Sequence, residues 1–129
     1  MKRDRVQLNI PAQPEYLLVV RLTAAGVANR MEFDVEEIED IKTAVAEACI
    51  MLMSQAHAIR EIALDFEISD DIFSMDARAS GPFIPKNIHE QDKDSELSRY
   101  LLQALMDNAK VQSEGGFIRS IHIDKGIAL

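Results

Sequence analysis

Cysteine is almost absent from this chain: Cys49 is the only one in 129 residues. An internal disulfide is therefore excluded, and a reducing compartment is implied. The neighbours of Cys49 are Ala48, Ile50 and Met51, a setting that suits a packed thiol rather than a nucleophile. Positive charge is also scarce. Lys and Arg number 14 against 22 Asp and Glu, a formal net charge of −8. Lys2, Arg3 and Arg5 form the densest basic group, which is too small to track a phosphate backbone, so direct nucleic-acid binding is excluded. The acidity suits solubility, and it also suits a partner with a basic surface. No apolar run approaches membrane-spanning length, and no secretory apolar segment follows the charged start. A cytoplasmic protein with no membrane role is expected. His57, His89 and His122 stand far apart with no cysteine at metal spacing, so no metal site is expected from them.

What remains suits a globular fold. The apolar share is 47% and the charged share 28%, and the length fits one domain over residues 1–129. The organising stretch is Phe33 to Ala56, FDVEEIEDIKTAVAEACIMLMSQA. Asp34 is a good N-cap, Glu37 sits at the capping-box position, and Phe33 and Ile38 form the two ends of a hydrophobic staple. Glu36, Glu37, Glu39 and Asp40 place negative charge at the positive end of the helix dipole. Ile38, Ile41, Val45, Ala48 and Leu52 then recur at steps of three and four, which makes one buried face. Beyond Glu47 the helix is apolar on every side, from Cys49 to Met53, so that end is buried or covered. Ile50, Met51 and Met53 suit core packing, and methionine also suits an adaptable partner surface. Glu47 thus sits where a half-exposed helix enters a dry environment. It is either a solvated carboxylate or a functional one.

The rest of the chain frames this helix. Arg5 to Ile10 alternates as a half-buried strand. Pro11 and Pro14 break it, and Pro14 suits the first turn of a helix over Glu15 to Asn29, with Leu18, Leu22 and Ala25 on its inner face. Glu61 to Ser69 alternates again, Ser69-Asp70-Asp71 turns, and Ile72 to Met75 starts the second strand of a hairpin. Ala77 to Asp94, with Gly81, Pro82, Pro85 and the run KNIHEQDKD, is predicted to be a long loop. Ser95 to Asn108 is predicted helical, with Leu97, Leu101, Ala104 and Leu105 inward. Val111 begins a strand, Glu114-Gly115-Gly116 turns, and Phe117 to Ile123 closes the chain. Hairpins dominate the later pairings. The expected class is α+β: a two-layer α/β sandwich whose mixed, mostly antiparallel sheet carries helices on one face.

The stretch EIEDIKTAVAEAC, from Glu37 to Cys49, resembles the signature helix of the bacterial anti-sigma-factor serine kinases. These belong to the ATPase superfamily shared with histidine kinases and Hsp90. The resemblance extends through the leading strand and helix, the hairpin ending at Asp76, the loop, and the tail MDNAKVQSEGGFIRSIHI. It implies ATP and Mg²⁺ as cofactors, and a sigma factor or an anti-anti-sigma protein as partner. Members are often dimeric, which implies a second copy of the chain as another partner. By resemblance Glu47 is the general base toward a serine hydroxyl or water. The family's Mg²⁺-ligand Asn, four residues on, falls on Met51, and a soft, uncharged thioether cannot replace a hard oxygen ligand. By resemblance the Asp that bonds adenine, ahead of the family's D-x-G-x-G turn, is Asp76; Arg78 and Ser80 stand where the glycines would be, with Gly81 one place later. Asp76 is equally suited to cap a turn. Glu96 and Ser98 stand where the family has the glycines of a phosphate lid, and side chains there would obstruct a close backbone approach. The resemblance therefore implies a partner-switching regulator with ATP binding and kinase activity weakened or lost. The alternative is an active kinase that phosphorylates an anti-anti-sigma protein.

Overall fold

The computed structural model describes residues 3–55, 57–81, 84–85 and 93–127. Strand β1 spans Arg3–Pro11, and a single 3-10 turn, Pro14–Tyr16, leads into helix α1, Leu17–Ala28. Helix α2 is Val35–Met53. The long strands β3 (Glu61–Ser69) and β4 (Ile72–Ser80) follow the two-residue strand β2 (His57–Ala58), which pairs with β5 (Ile84–Pro85). Helix α3 is Lys93–Leu105, and the strands β6 (Asn108–Glu114) and β7 (Phe117–Gly126) end the fold. The main sheet has the order β1-β3-β4-β7-β6, and its pairings are antiparallel throughout.

Local chemistry explains the elements. The Asp34 side chain accepts the Glu37 amide at 2.8 Å, and the Glu37 side chain accepts the Asp34 amide at 3.0 Å. This reciprocal box fixes the start of α2. Asp70 and Asp71 both take positive φ, 52° and 63°, as do Gly115 and Gly116 at 63° and 86°. Two consecutive left-handed residues make the tight turn that matches strand twist, so each pair sets the register of its hairpin. In β3 and β4 the alternation buries Ile62, Leu64, Phe66, Phe73, Met75, Ala77 and Ala79 on one face. The helices pack over that face, leaving the other to solvent. A buried Gln55, just past α2, clamps helix to sheet: its amide nitrogen donates to Ile118 O at 2.8 Å, and its oxygen accepts the Ile118 amide.

Three expectations need correction. In α1 the buried residues are Val20, Ala24, Val27 and Ala28, whereas Leu18 and Leu22 are 64% and 60% exposed. The helix is apolar nearly all round, so periodicity could not select a face, and the small alanines allow close packing on α2. In α3 the buried positions are Ser98 and Leu102, joined by Met106 just past its end, while Leu97 and Ala104 face solvent. Finally, Ala77–Ser80 continue β4 rather than opening a loop. Residues 82–83 and 86–92, including His89, lie outside the described residues.

Candidate functional site

Glu47 sits on the α2 turn before Met51. It is half-buried, and the Ser98 hydroxyl of α3 donates to its Oε2 at 2.7 Å. Ser98 itself is 2% exposed. Sequence reasoning missed this pairing because it set Leu97, Leu101, Ala104 and Leu105 inward and placed Ser98 only by its resemblance to a lid position. The available signal was its spacing, four before Leu102 and eight before Met106. Met51 is fully buried and belongs to the main hydrophobic cluster. The position one turn from Glu47 thus presents no oxygen to a cation. Mg²⁺ is a hard ion that needs several oxygen ligands, and the residues here do not fit it. Among the described residues no group of three or more His, Cys, Asp or Glu is arranged to hold a metal.

Asp76 is not brought to Glu47. It lies mid-strand in β4, paired in register with His122 of β7, on the sheet face away from the helices. There His122 Nδ1 meets Asp76 Oδ1 at 2.9 Å and His122 Nε2 meets Asp124 Oδ2 at 3.2 Å, while Asn108 donates to Asp124 at 2.9 Å. Asp76 also borders a shallow hollow of about 190 Å³ with Arg5, Asp65 and Arg78. Arg5 Nε donates to Asp65 at 2.8 Å, and this hydrogen bond holds the Asp65 carboxyl below the usual carboxylate range. Ala79, two residues before Gly81, lies three residues from Asp76; the offset is odd and side chains alternate along a strand, so the two face opposite sides of the sheet. Ala79 is 3% exposed on the helix side. Gly81 follows the end of β4.

Cys49 is buried, and burial pushes its thiol up to about 12. A raised thiol pKa means the neutral form is kept, so the native protein at neutral pH is expected to resist thiol reagents. Ellman's reagent should react at once in denaturant and at least about a hundredfold more slowly without it, as opening of a core segment limits access. The same shift makes stability fall as pH rises past about 9 toward 12.

The sequence profile of the histidine kinase-like ATPase domain matches residues 10–120. The chain belongs to this family. Within it, the chain is 36% identical over 129 residues to serine-protein kinase RsbW of Bacillus velezensis, covering 88% of this chain and 81% of that one. It is 35% identical over the same length and shares to serine-protein kinase RsbW of Bacillus subtilis. A histidine kinase domain from Erythrobacter litoralis aligns in structure with a TM-score of 0.45 at 19% identity, over 91% of this chain and 61% of that one. The antiparallel sheet with helices on one face is the framework on which this histidine kinase-like ATPase member holds Glu47. None of its described helices is long and apolar enough to cross a membrane.

Proposed function

We propose that the chain is an anti-sigma-type partner-switching regulator in the cytoplasm. It holds a sigma factor or an anti-anti-sigma protein through protein contacts, with ATP binding and serine kinase activity weakened or lost. The observation that carries this reading is an acid with no oxygen ligand beside it. Glu47 is bonded to Ser98, and Met51 one turn away is a fully buried thioether. An adenine-reading acid two residues before Gly81 would fall on Ala79, a buried residue with no carboxylate, and this supports the same reading. An active ATP- and Mg²⁺-dependent serine kinase is the alternative, favoured by Glu47 and by similarity to proteins named as serine kinases. Calorimetric titration with ATP separates the two. Heat indistinguishable from dilution, with and without Mg²⁺, is expected, and Mg²⁺-dependent micromolar binding would sink the regulator reading.

A second copy of the chain is the further partner we propose, docked on α1. Leu18, Val19 and Leu22 project outward at 64%, 41% and 60% exposure. The far end of the helix borders a hollow of about 480 Å³ formed with Asp4, Val6, Gly26, Val27, Arg30 and Ile68. An antiparallel two-fold pairing puts the leucines of one copy into the hollow of the other, and Asp4 and Arg30 supply opposite charges at its rim. Sedimentation should give a dimer for the natural chain and a monomer for Leu22→Glu. A natural chain that stays monomeric at high micromolar concentration would refute this interface.

A further inference from the structure

The contact between Ser98 and Glu47 has consequences beyond either reading of catalysis. Glu47 is the carboxylate that α2 offers at the boundary of the core, and its Oε2 already accepts a hydroxyl from the same chain at 2.7 Å. A hydroxyl donating to a carboxylate makes a charge-assisted bond, stronger than a neutral one, and low exposure strengthens it further. Ser98 is 2% exposed, so a hydroxyl set free there would be left buried and unsatisfied. The bond is also long-range, joining residues 51 apart, and α2 and α3 pack side by side around it.

We propose that Ser98 is a self-inhibitory latch: its hydroxyl takes the Oε2 of Glu47 and pins α3 against α2. A carboxylate accepts at both oxygens, so the latch engages one side of the acid, and a hydroxyl-bearing partner, water included, that uses the same lone pair has to displace Ser98. Releasing that oxygen requires α3 to shift.

The test is carboxylate footprinting of the full chain with a water-soluble carbodiimide and glycinamide, read by peptide mass spectrometry. Glu36, exposed on the first turn of α2, is the internal reference. Relative to Glu36, labelling of Glu47 is expected to rise about tenfold in Ser98→Ala, the size of one lost charge-assisted hydrogen bond. Ser98→Thr keeps the hydroxyl and is expected to stay within about twofold of the natural chain, whereas Ser98→Val, which matches threonine in shape but lacks the hydroxyl, should behave like alanine. The Thr and Val pair keeps the comparison valid if alanine disturbs packing. Amide hydrogen exchange in α3 should quicken in the same variants. Equal Glu47 labelling in Thr and Val, or no change in Ala, would overturn the latch. Nucleotide titration does not enter this readout, so failure of the latch and failure of the regulator reading are distinguishable.

Discussion

Exchanging Met51 for asparagine is expected to lower stability by about 3 kcal/mol and to leave the protein without measurable ATP-dependent serine phosphorylation. The substitution restores on paper the oxygen that a Mg²⁺ ion would need. In this chain the position is fully buried within the hydrophobic cluster that includes Ile41, Leu52 and Leu102. An amide placed there loses its hydration and gains no partner, and the shorter side chain leaves a void where the methionine packed. Together these outweigh what a single ligand could return, because one oxygen does not make a hard-cation site. The loss should appear as a fall in Tm of roughly 10 °C for a domain of this size. Urea unfolding monitored by circular dichroism, with and without ATP and Mg²⁺, decides the matter. A variant that is as stable as the natural chain, or that ATP and Mg²⁺ stabilise, would mean that Met51 borders a usable pocket. Phosphorylation by that single variant would show in addition that Ala79 and the side chains of Glu96 and Ser98 do not block the chemistry.

The helix α2 was legible in sequence almost residue by residue. Its cap, its staple and its buried stripe are local features, and local chemistry suffices to fix them. Both tight hairpins were legible for the same reason, since Asp70-Asp71 and Gly115-Gly116 announce turns before any tertiary contact exists. The length of β4 was not. The hydrophobic alternation was followed only to Met75, yet β4 pairs with β3 through Ser80 and with β7 through Arg78, so Asp76 lies mid-strand rather than at a strand end. Ala77 and Ala79 are too small to announce a buried face, and only the neighbouring strands reveal it. The face of α1 was illegible because Leu17–Ala28 is apolar almost everywhere, and only packing against α2 chooses Ala24 and Ala28 over Leu18 and Leu22. Ser98 escaped for a related reason. A polar residue is admitted to a buried stripe only if a partner satisfies it, and that partner lies 51 residues away.

Truncating Phe66 to alanine is expected to have the largest effect of any single change considered, about 4 kcal/mol. Phe66 on β3 and Phe73 on β4 are both fully buried, with ring centroids 6.1 Å apart and planes inclined by 49°. They sit diagonally across the hairpin, since Phe66 pairs with Met75 and Ile68 with Phe73. Removing one ring deletes the apolar area it buries, leaves a cavity, and forfeits a tilted aromatic contact worth about 1 kcal/mol beyond burial. The urea midpoint should drop by roughly 2 M at unchanged slope. Leu18→Ala is the necessary contrast. It removes apolar carbons from a side chain that is 64% exposed, so at low protein concentration its effect should stay within about 0.5 kcal/mol. If α1 docks a second copy, that small effect grows with protein concentration, because association adds to apparent stability by mass action. The loss at Phe66 does not grow in this way, since it belongs to the interior of one chain. A Leu18→Ala variant that is strongly destabilised in dilute solution would therefore place α1 the other way round, with the leucines inward. That rotation would remove the outer apolar face on which the dimer rests.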